Sequence, residues 1–375
     1  MTDPGNPLIA KLEKHRQGPS EEPGRVNPNA KRKAVVQDTC QSTQPSQTEG
    51  KPYTICFEPA EPAARNAIQA LARPAEVPEW CADFLNEWPT NRVQGCSHQL
   101  GTIIVRQGVK QVGKFELDLW SLITANPAKN EITFDQWVGA EDLDGQGYAI
   151  MFTAIPGCSG PCNVMTNPYP PTELVEGEYK RVHHELSGQL SGTQVEVSNG
   201  IFPEAELVFI HPLAVDAVTV VSEIFEPLRC DYKAAGGDIA YYGCVFPLFW
   251  GTHKVPRSIL LGYANHIAEA QTEGLPGAPP TPGNNYPLHR IRNQSDITEN
   301  RNTACQDAPS PRPAGWECDE YPPASTLEGA ATSGGDYSWR LIPIEQNQAG
   351  GAHLKGFYRD YRLIARDAFY IQVVN

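Results

Sequence analysis

No stretch of this 375-residue chain approaches the roughly twenty consecutive apolar residues that a membrane-crossing helix requires, which excludes a helical span. The first fifty residues lack even the shorter apolar core of a signal peptide. Met1 to Gly50 is polar, scattered with Gly and Pro, and without the apolar periodicity that offsets the entropy of ordering, so it reads as disordered. The basic triplet Lys31-Arg32-Lys33 inside it reads as a solvated or processing segment. Positive charge is also short: the formal net charge of −14 works against long-range attraction to a polyanion. Internal repeats are absent, which removes solenoid architectures. C-x-x-C knuckles are absent as well. The nearest approach, Cys158-Ser159-Gly160-Pro161-Cys162, has three intervening residues and no second knuckle nearby, which argues against a structural zinc site.

The ten cysteines instead fall in close sequential pairs: Cys40 with Cys56, Cys81 with Cys96, Cys158 with Cys162, Cys230 with Cys244, and Cys305 with Cys318. Sequential pairing is the simplest of roughly 945 ways to join ten thiols, and such usage fits an oxidising, extracellular compartment. A hydrophobic content of 40% is ample for a core, and 375 residues suggest two domains. With 32 Gly and 34 Pro, many turns and short strands are expected rather than long helices. Gly101–Val105, Lys114–Trp120, Tyr148–Phe152, Gln194–Val197 and Leu207–Ile210 read as such strands. They predict a β-sandwich-like domain over residues 51–250. Residues 62–72 and 256–272 read as helices, the second opening with a proline at its first turn. Gly274 to Gly283 then reads as a stiff Pro/Gly linker, closing a segment 251–285 that leads into a final domain, 286–375. The fold class is α+β, stapled by disulfides.

That final domain carries the chemistry. Cys318-Asp319-Glu320-Tyr321-Pro322-Pro323 sets two carboxylates at the rim of an extended run, because proline removes backbone donors and biases the residue before it away from helix. Glu328-Gly329 follows, then a strand over Tyr337–Ile342, then Glu345-Gln346-Asn347-Gln348-Ala349-Gly350-Gly351. Leu354, Phe357, Tyr358 and Tyr361 continue at i, i+3, i+4 and i+7, the stripe of an amphipathic helix, and Ala368–Val374 closes as a strand. The pattern D-E-[YW]-P, then E-G, then N-x-x-G before a helix resembles the NucA/NucB family of secreted deoxyribonucleases.

The strand, strand, helix order also resembles the ββα-metal nucleases, in which one divalent ion grips the scissile phosphate. The resemblance implies that Asp319 takes the place of the histidine that activates water in DRGH-type members, and that Asn347 binds the ion. An unperturbed aspartate titrates near ~3.9 and is a weak base at neutral pH, although the neighbouring Glu320 raises that value by like-charge repulsion. Glu328, at the family's E-G position, joins Asp319 and Glu320 in the catalytic group. Glu345 and Gln348 join Asn347 as candidate ligands or water-holding partners. Mg²⁺ or Mn²⁺ suits such oxygen donors, since magnesium keeps several waters and needs one or two protein ligands.

Residues 286–375 hold nine Arg plus Lys against eleven Asp plus Glu, so the acidity lies mostly upstream. Arg301 and Arg340 are the candidate phosphate contacts, with Arg290, Arg292, Arg359 and Arg362 extending the track. The implied activity is a secreted, metal-dependent, sequence-nonspecific endodeoxyribonuclease with DNA as its partner, no membrane, and room for an inhibitor or immunity protein. The competing reading is a secreted disulfide-rich binding or structural protein whose nuclease-like tail is inactive. In the β-rich region, Asp142-Leu143-Asp144-Gly145 lacks the full ligand set of a calcium loop and reads as a hairpin turn. His183-His184 face opposite ways on a strand, which rules out a shared ion. Every residue given a role lies after the linker, so residues near 280–375 read as the catalytic unit.

Overall fold

Alternating apolar and polar positions build most of the chain into strands. The computed structural model describes residues 6–21, 23–25, 39–40, 53–60, 71–190, 197–224, 226–232, 241–282 and 285–375. Within them the protein is mixed α+β, mostly strand, and divides into two compact units: Pro23–Asp231 with Tyr242–Phe249, and Met1–Glu22 with Tyr232–Tyr241 and Trp250–Asn375. The five sequential cysteine pairs are all bonded. No helix among the described residues is long and apolar enough to cross a membrane.

The first unit carries β1 (Tyr53–Pro59), β2 (Gln94–Gln107), β3 (Lys110–Ala125), β4 (Ile132–Gly145), β5 (Met151–Ser159) and β6 (Cys162–Val164). It continues with β7 (Tyr169–Glu173), β8 (Tyr179–Gly188), β9 (Val197–Ile210), β10 (Ala217–Glu223), β11 (Leu228–Asp231) and β12 (Gly243–Val245). One sheet runs β1-β2-β3-β4-β8-β6 and the other β12-β11-β9-β5-β7, with β10 paired to β9. Phe57, Ile103, Phe115 and Leu117 of the first share one apolar cluster with Phe152, Leu207 and Phe209 of the second. The period of two explains this, since alternate residues of β3 point to the same side.

Two local readings change here. Asp144-Gly145 does not close a hairpin: β4 and β5 belong to different sheets, and the 3-10 turn Gln146–Ala149 carries the chain across, so the predicted strand Tyr148–Phe152 begins only at Met151. Gly145 is required there. Its φ is +51°, and a Cβ would stand 2.3 Å from the Val112 carbonyl oxygen. The predicted helix 62–72 and the predicted strand from Gln194 lie largely outside the described residues.

The second unit holds α1 (Pro7–Glu13), β13 (Thr252–Pro256), α2 (Leu261–Thr272), β14 (Leu288–His289), α3 (Gln294–Ala304), β15 (Trp316–Tyr321), β16 (Ser338–Pro343), α4 (Ile344–Asp360) and β17 (Ala368–Val374). Strand β17 lies between β13, parallel to it, and β14, antiparallel; β15 and β16 form a separate hairpin pair. The stripe Leu354, Phe357, Tyr358 and Tyr361 is buried as its spacing predicts. Helix α1 falls in the stretch that composition reads as disordered. Asn6 caps it by accepting from Leu8 N–H at 3.0 Å, and Leu12 enters the core beside Phe357 and Ile371. Its apolar partners lie hundreds of residues away, beyond any local pattern. The Pro/Gly segment is likewise pinned rather than spacing the domains: the Tyr321 hydroxyl donates to the Pro276 carbonyl at 2.7 Å, and Ile371 N–H to the Gly277 carbonyl at 2.7 Å.

Candidate active site

Strand β15 and helix α4 bring acids and amides together. Cys318 is bonded to Cys305, the residue that ends α3, which fastens the strand one position before Asp319. Asn300 of α3 holds the next loop, donating to the carbonyls of Ala324 at 2.9 Å and Thr326 at 3.2 Å. From α4, Asn347 donates its amide to Glu317 Oε2 at 3.1 Å and to the Cys318 carbonyl at 3.4 Å, and Gln348 donates to Glu317 at 3.5 Å. These bonds use the Asn347 N–H groups and leave its carbonyl oxygen as an acceptor. The helix reaches this position because Gly350 faces Tyr263 of α2. A Cβ there would lie 2.9 Å from the ring, so only glycine allows the two helices to close.

Glu317, Asp319, Glu320, Asn347 and Gln348 line a cleft of about 610 Å³. Arg290, Arg292, Arg301, Arg312 and Lys355 line it too, so carboxylates and cations share one concavity. Arg290 is buried and lies over the Tyr358 ring at 4.6 Å while donating to the Leu363 carbonyl. Arg301 is exposed and reaches Glu320 at 3.4 Å.

The two neighbouring acids have different surroundings. Asp319 is 4% exposed, and burial holds its carboxyl above the usual range, opposed by the hydrogen bond it accepts from His266 Nδ1 at 2.7 Å. Glu320 is pushed up to about 7 by burial and by the Asp319 carboxylate, with Arg301 acting against both. The sequence offers no histidine beside Asp319; the fold supplies one from 53 positions upstream.

Residues 280–372 match the family model Deoxyribonuclease NucA/NucB. The C-terminal domain is of NucA/NucB type. No curated protein and no solved structure matches the chain.

The NucA/NucB-type domain gathers Asp319, Glu320, Asn347, Gln348 and Arg301 in the cleft, together with Arg290 and Arg292. It does not bring the other predicted residues there. Glu328 instead accepts from the His289 backbone N–H at 2.9 Å and its ring at 2.7 Å, fixing the strand β14 to the loop. Glu345 sits in the first turn of α4, where its carbonyl accepts from Asn6 at 2.7 Å. Arg340, opposite Asp319 on β16, pairs with Glu269. Arg359 pairs with Asp360, and Arg362, fully buried, donates to the Tyr241 carbonyl. Sequence reasoning missed Glu317, Arg312, Lys355 and His266. Glu317 had a signal, being two residues before Asp319 and so on the same side of the strand. His266 had a weaker one: a polar residue among Tyr263, Ile267 and Ala270 on the buried face of α2.

The donors fit a hard cation. All are oxygens, from Glu317, Asp319, Glu320 and the Asn347 amide, which suits Mg²⁺ or Mn²⁺ and disfavours zinc. Among the described residues no three His, Cys, Asp or Glu side chains converge enough to enclose an ion. The site therefore suits an ion held by one or two protein oxygens and completed by water and phosphate.

Proposed function

We propose that the C-terminal domain is a secreted, metal-dependent, sequence-nonspecific endodeoxyribonuclease, acting on DNA by hydrolysis. The observation that carries this reading is the cleft in which Asp319, Glu320 and Asn347 meet Arg290, Arg292, Arg301, Arg312 and Lys355. A phosphodiester is anionic and gains charge as water adds, so a cation-lined wall beside a proton acceptor is the required arrangement. Asn347 and Glu317 are the proposed holders of Mg²⁺ or Mn²⁺, which when bound would stabilise the charge developing on the phosphate oxygens. The arginines and Lys355 bind the backbone and set the phosphate opposite the acids. Asp319 accepts the proton of the attacking water, and its burial keeps that carboxylate a stronger base than an exposed one. Glu320 sits beside it as the proton-handling partner. Base edges have no reader in this set, since the contacts suit phosphate alone. The five disulfides and the family support an extracellular setting.

The test is incubation of the purified protein with supercoiled plasmid and Mg²⁺ or Mn²⁺, with and without chelator. The expected result is nicking and then linear and smaller products, abolished by chelator. Intact plasmid under every metal condition would sink the reading and favour an inactive, disulfide-rich binding protein.

A further inference from the structure

The NucA/NucB match begins at residue 280, yet the carboxylate at the centre of the cleft is held from outside that segment. His266, on α2, donates Nδ1–H to Asp319 Oδ2 at 2.7 Å, and its Nε2 stands 3.0 Å from the Ser338 hydroxyl on β16. His266 is 1% exposed and Asp319 4%, so water does not compete for this bond. A buried carboxylate needs a donor, and Asp319 has a free choice of rotamer on an extended strand unless something fixes it. The imidazole does so at both ends. One nitrogen grips the carboxylate and the other grips the hairpin, so α2 sets the distance and angle of Oδ2, beside the bond the carboxyl also accepts from the Glu320 backbone N–H. The carboxylate can only accept, so the proton lies on Nδ1, and Nε2 shares its hydrogen bond with the Ser338 hydroxyl.

We propose that His266 is a positioning residue for hydrolysis, locking the Asp319 carboxylate into its water-activating orientation through an Asp319–His266–Ser338 chain. The proposal rests on the reading of Asp319 as the base. It extends the catalytic unit upstream of the family segment, to the helix α2.

The experiment uses the full chain, with initial rates of plasmid cleavage over a range of DNA concentrations in Mg²⁺ or Mn²⁺. Four variants are compared: His266→Leu, His266→Asn, Asp319→Asn, and the double variant His266→Leu with Asp319→Asn. Thermal unfolding and near-ultraviolet circular dichroism establish which are folded. His266→Leu is expected to lower kcat by about 10- to 100-fold with KM unchanged, the usual cost of losing a group that orients a reacting one. His266→Asn places an amide N–H where Nδ1 stood and is expected to restore most of that loss. In the double variant the leucine should cost nothing further, since its target is gone. A folded His266→Leu with wild-type kcat, beside an inactive Asp319→Asn, overturns the proposal and leaves the base reading intact. Equal losses in His266→Leu and His266→Asn also overturn it, showing that the ring only fills space. An active Asp319→Asn sinks the base reading and the proposal with it. Should His266→Leu fail to fold, His266→Asn decides alone: near wild-type kcat supports the hold on Asp319, and a folded but inactive Asn variant overturns it.

Discussion

The rings of His253 and His353 face each other with 4.6 Å between centroids, and each presents a buried nitrogen without a hydrogen-bond partner, Nε2 of His253 and Nδ1 of His353. Burial pushes His353 down to about 4, and Arg16 and His15 of the N-terminal segment add to that while Glu13 opposes it. Burial and His353 together hold His253 well below its ordinary value. Both are therefore neutral when folded. Between about 6.5 and 4 the unfolded chain binds protons that the folded chain does not, so stability falls as pH falls through that window. For His353 alone the loss is on the order of 3 kcal/mol by pH 4. Thermal unfolding between pH 7 and pH 4 should show the unit's transition dropping, and His353→Gln should flatten the slope. A slope equal to wild type in the variant would refute it; His184, also lowered to about 4, acts in the other unit and is common to both proteins.

The roles proposed for Asp319 and Asn347 are separable. Asp319→Asn keeps the shape and a hydrogen-bonding oxygen but removes proton acceptance, so turnover should fall by about 10²–10⁴-fold with little change in metal dependence. Asn347→Ala removes the oxygen proposed to hold the metal, so its loss should be partly recovered by raising Mg²⁺ or Mn²⁺. Activity against metal concentration checks both. A metal-rescued Asp319→Asn beside an unrescued Asn347→Ala would exchange the assignments.

The cations of the cleft should read out as salt dependence. Arg312→Ala and Lys355→Ala each remove one phosphate contact, so the slope of log affinity against log salt should shrink by about 0.9 per variant on duplex DNA. Fluorescence anisotropy in chelator, where cleavage is off, measures it. Arg340→Ala should leave the slope unchanged, because Arg340 is paired with Glu269 outside the cleft.

Leu12 ties the N-terminal segment into the same core as Phe357 and Ile371. Leu12→Ala should cost about 2–5 kcal/mol in the unit's own unfolding transition. A fragment starting near Gly251 loses Leu12 and the Asn6 bond to Glu345 as well, and should be less stable by at least as much. Differential scanning calorimetry of the full chain resolves this. An unmoved transition in Leu12→Ala would show that the segment is peripheral.

The C-terminal elements were legible because their signals are local. Pro322 and Pro323 mark the end of β15, and the 3-4 spacing of Leu354, Phe357, Tyr358 and Tyr361 marks α4. The motif alone singles out Asp319 and Asn347, which the fold places in one cleft, and cysteine proximity in sequence led to the five bonds. What stayed hidden depends on long separations. Glu328 reads as catalytic until His289 is seen to occupy both its oxygens. Arg340 reads as a phosphate contact until the register sets it beside Glu269. His266 and Leu12 carry no pattern of their own, since each acquires its role only when a distant element reaches it.

Asn6 donates to the carbonyl of Glu345 across 339 positions of chain, and α1 cannot settle before α4 exists. During synthesis the arm emerges hundreds of residues before its docking partners. Docking of the arm therefore waits for more than three hundred further residues, and the loop entropy of closing so long a span is met only then. The β-rich unit, whose strands pair mostly with near neighbours in sequence, has no such wait. The β-rich middle can thus settle first, and the unit that carries the cleft closes only when α4 and β17 reach the arm.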